Sequence, residues 1–109
     1  MLLLLLTLLA STTQSPPPAK PQGIVSADDY PRVAVANGWQ GDVGVELTVD
    51  RTGRVTACRV TKSSGHQVLD DATCSLLIKR ARFDPARDDK GNPVPSHFQT
   101  PLIRWRLSP

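Results

Sequence analysis

"VTACRVTKSSGHQVLDDATC", residues Val55 to Cys74, holds both cysteines of the chain, one of its two histidines and two adjacent aspartates. These residue types suit a thiol or metal site. They equally suit a strand, a turn and a helix joined by one disulfide. The periodicity favours the second arrangement. "RVTACRVTKS" reads as a strand and "SGHQVLDDATCSLLIKRARF" as a helix entered through a glycine turn. On that helix Leu69, Ala72, Thr73, Leu76, Leu77 and Ala81 share one side, with Cys74 at its margin. Asp71, Ser75, Lys79 and Arg82 form a polar stripe on the other. Asp70 and Asp71 near the start, with Lys79, Arg80 and Arg82 near the end, complement the helix dipole and are expected on a solvated face.

Upstream, "DVGVELTVD" alternates cleanly: Val43, Val45, Leu47 and Val49 point one way, Gly44, Glu46, Thr48 and Asp50 the other. "DRTG" then turns the chain, with Gly53 suited to the left-handed position of a bulged hairpin. "ADDYPRVAVANGWQG" reads as a short helix, capped by Asp28 or Asp29 and stopped by Asn37-Gly38. Downstream, Pro85 ends the long helix and "DPARDDKGNPVPS" is expected to be a loop. "HFQTPLIRWRL" reads as a third strand. There Ile103, Trp105 and Leu107 alternate with Leu102, Arg104 and Arg106, and Pro101 argues for an edge position or late pairing. The implied fold is α+β: a three-stranded antiparallel sheet with one long helix on one face, in the order (α)-β-β-α-β.

The chain has 109 residues and a formal charge of +3, enough for one small domain and too weakly basic to imply nucleic acid by charge. Ten prolines gather near the two ends. The apolar run Leu2 to Ala10 is about half of the roughly 20 residues a spanning helix needs. Residues 1–13 therefore read as a signal peptide or the remnant of a longer membrane anchor, residues 14–28 as a Pro-rich spacer and residues 29–108 as the domain. Either reading of the leader places the domain outside the cytoplasm. There two cysteines most simply form one disulfide, Cys58–Cys74. Its loop of about 15 residues is worth roughly 3 kcal/mol in the chain-entropy model.

The rival reading is an exported enzyme with a thiol or zinc site built from Cys58, His66 and Cys74, with His97 as a fourth zinc ligand. A catalytic thiol needs a neighbouring base and a lowered pKa. A zinc site usually contains a close-spaced ligand pair, which this chain lacks. No carboxylate pair, phosphate-binding glycine loop or nucleophile elbow is recognisable, so neither catalysis, a metal nor a cofactor is expected. Arg104-Trp105-Arg106 and Lys79-Arg80-x-Arg82 would suit nucleic acid. An exported chain rarely meets that partner.

Taken in order, the segments resemble a known family, the C-terminal domain of TonB-type energy transducers. Tyr30-Pro31 precedes a short helix and Gly41 the first strand; "VDRTGRV" makes the hairpin. "SSGHQVLDDA" then enters the long helix, "RFDPARDDKGNPV" leaves it, and the last strand ends in "RWRL". The likeness covers residues 29 to 107. It implies a periplasmic, non-enzymatic module that takes part in transport across the outer membrane. In such transducers the domain grips an extended segment, the TonB box, of an outer-membrane transporter by strand addition. Inner-membrane motor proteins would be partners only where an anchor precedes the domain. By this resemblance the contact surface is the last strand, at Gln99, Leu102, Ile103, Arg104 and Arg106, with the Tyr30-Pro31 segment nearby. The same edge would also permit a homodimer.

Overall fold

A computed structural model describes residues 25–107. The expected leader, and the spacer up to residue 24, lie outside the described residues.

The first helical segment is divided. A 3-10 turn spans Ala27–Asp29 and a helix, α1, spans Arg32–Asn37. Ser26 and Asp29 exchange hydrogen bonds across the turn, and the Asp29 carboxylate receives both Nη atoms of Arg80 at 2.8 and 2.9 Å. The Arg80 hydrogen bond holds the Asp29 carboxyl well below its usual range. Gly38 closes α1 in the left-handed conformation (φ 67°).

Two strands follow, β1 (Gly41–Val49) and β2 (Val55–Lys62). Val43, Val45, Leu47 and Val49 are all fully buried, as the alternation requires. At the turn, the Asp50 carboxylate accepts from the Thr52 hydroxyl and from the amides of Thr52 and Arg54. Gly53 (φ 88°) is indispensable here: a Cβ would lie 1.9 Å from the Phe83 carbonyl oxygen.

The long helix, α2, runs Gln67–Arg80 and lies over β2 and β1. Arg82, read as part of its last turn, falls beyond it, where it forms an antiparallel bridge with Arg54. Leu69, Thr73 and Leu77 are buried against the sheet. Asp70 departs from the expected solvated face. It is 8 % exposed and accepts from Ser63 Oγ (2.5 Å), Ser64 N (2.9 Å) and Ser64 Oγ (2.8 Å). Burial alone would push its carboxyl up. The three hydrogen bonds outweigh that and hold it below the usual carboxylate range. Asp70 thus ties the loop leaving β2 to the first turn of α2. The sulfurs of Cys58, on β2, and Cys74, on α2, are bonded to each other, with Cα atoms 5.6 Å apart.

The segment expected to be a loop contains a small hairpin, β3 (Ala86–Arg87) with β4 (Pro93–Val94). The Asp88 carboxylate, accepting the amides of Lys90 and Asn92, and Gly91 at φ 85° shape its turn. The third strand is not continuous. It is split into β5 (Ser96–Gln99) and β6 (Ile103–Trp105), both antiparallel to β1 and both on the side away from β2. The sheet therefore has three positions and β1 occupies the centre, with α2 on one face, as the α+β reading expects.

Candidate functional site

The side of β1 away from β2 carries two short strands rather than one. Glu46, Leu47, Thr48 and Val49 face Gln99, Phe98, His97 and Ser96, whereas Gly41, Asp42 and Val43 face Trp105, Arg104 and Ile103. Between Val45 and Val43 the chain advances two residues on β1, but three from Thr100 to Ile103 on the edge. One extra residue is inserted, which is a bulge.

Thr100 explains how the ladder survives the insertion. Its amide donates to the Val45 carbonyl (2.9 Å), and its hydroxyl accepts from the Val45 amide (3.3 Å). One residue thus satisfies both main-chain groups of Val45. Pro101 follows, without an amide to leave unpaired. Leu102 folds over the open face of the sheet, where its Cδ2 would sit 3.3 Å from a Cβ at Gly44.

Because Thr100 N–H points at β1, alternation directs the amide and carbonyl of Gln99 and His97 away from it, towards the open edge. The same alternation in β6 turns the main chain of Arg104 outward. These are the groups through which an antiparallel or parallel strand could be added.

The five residues expected at a contact surface are dispersed by this geometry. Gln99 lies exposed on β5, with its Nε2 donating to Thr61 Oγ1 (3.0 Å) across the open face. Leu102 is in the break between the strands and is 48 % exposed. Ile103 turns its side chain towards the core. Arg104 and Arg106 flank Asp42, whose Oδ1 lies 3.9 Å from Arg104 Nε and 2.8 Å from Arg106 Nη2. The closer approach is an ion pair without hydrogen-bond alignment. Tyr30 lies where the resemblance puts it, edge-on to Trp105 with ring centroids 5.1 Å apart and its hydroxyl donating to the Trp39 carbonyl. A shallow groove runs between Val25, Ser26, Ala27 and Tyr30 on one side and Arg104 to Arg106 on the other.

The expected contact surface, drawn on a continuous third strand, did not include Ser96, His97, Phe98 or Thr100, and did not foresee the break after Thr100. A signal was present. Phe98 and Trp105 are seven residues apart, so a regular strand would point them to opposite faces, yet both suit the core. That parity conflict, beside Thr-Pro, is the mark of an inserted residue.

The thiol and zinc readings lose their ligands. Cys58 and Cys74 are bonded to each other, and His66 stacks on Trp39, with ring centroids 4.9 Å apart and planes 13° apart. Among the described residues no cluster of three or more His, Cys, Asp or Glu side chains could hold a metal.

The described domain is thus a small antiparallel sheet backed by one long helix, with main-chain groups of β5 and β6 turned away from β1. The chain belongs to the family described as the Gram-negative bacterial TonB protein C-terminal, which it matches over residues 26–107. It is 40 % identical over 65 residues to the protein tonB2 of Pseudomonas aeruginosa, covering 59 % of this chain and 24 % of that protein. It is 32 % identical over 66 residues to the protein TonB of Helicobacter pylori, covering 61 % of this chain and 24 % of that protein. The matched part thus spans about a quarter of either relative's length.

Proposed function

We propose that this chain is a periplasmic, non-catalytic interaction module that takes part in transport across the outer membrane. It binds an extended, TonB-box-like segment of an outer-membrane transporter by adding that segment as a strand beside β5 and β6. Membership of the TonB C-terminal family supports the setting. One observation carries the mode of binding: the main-chain groups of His97, Gln99 and Arg104 face away from β1, and among the described residues no named strand other than β1 pairs with β5 or β6. Unpaired strand edges bind extended peptides through backbone hydrogen bonds, with side-chain pockets adding specificity.

The disulfide suits an oxidising compartment, where a small core gains from a cross-link. Among the described residues no helix is long and apolar enough to cross a membrane. Partnership with inner-membrane motor proteins therefore depends on sequence outside the described domain.

The test is a titration of the isotopically labelled full chain with a synthetic peptide copied from the periplasmic amino-terminal segment of a transporter of the same cell. Amide resonances between Ser96 and Leu107 are expected to shift or broaden, with the β2 amides unmoved. Saturating peptide without any response along that edge would refute strand addition.

A further inference from the structure

We infer that β5 alone takes the guest strand and that Thr100 is the positioning residue that ends the seat. The inference rests on the strand-addition reading and narrows it to one half of the edge.

The two halves cannot serve one regular guest. Glu46 opposite Gln99 and Val43 opposite Ile103 are offset by the inserted residue, so a straight strand in register with β5 is out of register with β6. Pro101, in the gap, offers no amide. A guest must choose.

The neighbourhood favours β5. Beside β6 the chain already lays its own lead-in, with Val25, Ser26, Ala27 and Tyr30 bordering Arg104 to Arg106. Cations are also what sheets place on edges to prevent pairing, and Arg104 and Arg106 stand there. β5 carries neither Lys nor Arg.

The side chains of β5 also describe the guest. On the helix face Phe98 is half-buried against Phe83, with ring centroids 5.3 Å apart. Next to it the Ser96 hydroxyl oxygen is shielded from solvent and has no hydrogen-bond partner. A buried hydroxyl left unpaired is costly, and an added strand could supply the missing group. On the open face Gln99 bonds Thr61, and His97 Nδ1 lies 3.4 Å from Thr48 Oγ1. The fitting partner is an extended segment pairing over about four residues, or roughly 13 Å. On the guest's helix-facing side an apolar side chain lies against Phe98 and, two residues along, a hydrogen-bonding side chain lies within reach of Ser96.

Thr100 sets the boundary. Its hydroxyl stands in for its carbonyl in bonding the Val45 amide. The carbonyl thereby released lies 3.4 Å from Gln99 Nε2. Without the hydroxyl, Val45 N–H must recover the carbonyl or go unpaired, and either outcome moves the end of β5.

The full-length labelled chain is titrated with a blocked heptapeptide, Thr-Ser-Thr-Val-Thr-Ser-Thr, which sets Val between two Ser on one face. The expected result is that the His97 and Gln99 amides shift and gain protection from hydrogen exchange, while Arg104 does neither. Gln99→Pro removes an outward amide without touching the β1 ladder, so affinity should fall more than about tenfold. Gln99→Ala separates loss of the side chain from loss of the amide and should stay within about threefold. Arg104→Pro should leave affinity within about twofold. Thr100→Val should weaken binding about tenfold and extend the shifts into Leu102, while Thr100→Ser restores the wild-type footprint. Equal protection at Arg104, or binding lost in Arg104→Pro but kept in Gln99→Pro, would overturn the assignment to β5 while leaving strand addition standing. An unchanged footprint in Thr100→Val would overturn the positioning role. No response in either half would remove strand addition itself. The wild-type footprint decides between β5 and β6 even if a proline variant does not fold.

Discussion

The two edges of the sheet are built on different plans. β2 is eight residues long, and its pairing with β1 shifts register twice, between Gly44 and Val45 and between Thr48 and Val49. It carries the exposed Arg59 and Lys62. Cys58 binds it covalently to α2. Just before it, Gly53 O accepts the Phe83 amide and Arg54 bridges Arg82. Bulges, cations and covering elements are the means by which sheets keep strangers from their edges. The opposite edge is split. β6 is fixed to α2 by the hydrogen bond from Trp105 Nε1 to Thr73 Oγ1 (2.8 Å), whereas β5 is held by its ladder to β1, the packing of Phe98 and the exposed contacts of Gln99 with Thr61 and His97 with Thr48. The lesson is that openness here is local. Among the described residues, the four-residue β5 lacks the cations and covering segments found beside β2 and β6.

The largest expected effect comes from attacking the anchored half. Trp105 is 2 % exposed, meets Tyr30 edge-on and donates its buried indole N–H to Thr73. Trp105→Ala should cost about 3–5 kcal/mol in urea unfolding followed by circular dichroism. Thr73 Oγ1 also loses a partner in that variant, although its own donation to the Leu69 carbonyl (2.8 Å) persists. A loss below about 1 kcal/mol would mean that β6 is no better anchored than β5, and the contrast between the halves would fail.

The disulfide comes next. Reduction, or replacement of Cys58 and Cys74 by alanine together, should cost about 3 kcal/mol, given their sequence separation of 16. The loss of stability is global, because the cross-link restricts the unfolded chain, but any change within the folded state should be confined to the β2 side. Hydrogen exchange should accelerate in β2 and α2, while the heptapeptide footprint on β5 stays as it was. Loss of that footprint in the still-folded, reduced protein would show that the two edges are coupled.

Much of this architecture was legible in the sequence, and the reasons differ by region. Val43 to Val49 follow a period of two without interruption, because β1 lies at the sheet centre with one face fully buried; local pattern and tertiary environment agree there. Asp50 and Gly53 announce the hairpin because the turn demands those backbone conformations. The cysteine pairing was accessible because two cysteines leave a single intramolecular arrangement. The break at Thr100 was hidden, since alternation within Ile103–Trp105 looks regular on its own. Only the burial of Phe98 at the opposite parity exposes the inserted residue. Of the five expected contact residues, Gln99 alone falls on β5, because a bulge changes what every residue after it faces. Asp70 was misjudged for another reason. Helical spacing places it near the amino terminus, but its burial depends on Ser63 and Ser64 folding back over it, a non-local contact with no periodic signature.

Asp70 offers the third test, on the closed side where β2 passes into α2. Its folded pKa is lowered, so its contribution to stability is fully present above the unfolded value of about 4 and is lost as pH falls through the lower, folded value. Asp70→Asn should destabilise the domain by about 1–3 kcal/mol at neutral pH. It should also flatten part of the acid-side decline in melting temperature. The remainder persists, because Asp29, Asp50 and Asp88 are shifted in the same direction by their own hydrogen bonds. An acid profile identical to wild type would show that the Ser63–Ser64 cap does not depend on the carboxylate charge.

The smallest effect sharpens the boundary between β5 and β6. Gly44 lies on the open face of β1, and a Cβ there would meet Leu102 Cδ2 at 3.3 Å, Lys62 Cβ at 3.4 Å and Thr61 Oγ1 at 3.4 Å. These are side-chain atoms that can yield, unlike the carbonyl that confronts Gly53. Gly44→Ala removes unfolded-state freedom worth about 0.4–1 kcal/mol and adds crowding of comparable size, so net stability should move by less than about 1 kcal/mol. The structural response should be one-sided. Leu102, which rests on this spot, must lift, and the amides of Leu102 and Ile103 should shift, while those of Phe98 and Gln99 should not. If the disturbance crosses Thr100 into β5, the hydroxyl bond to Val45 is not a boundary, and the two halves of the edge behave as one strand.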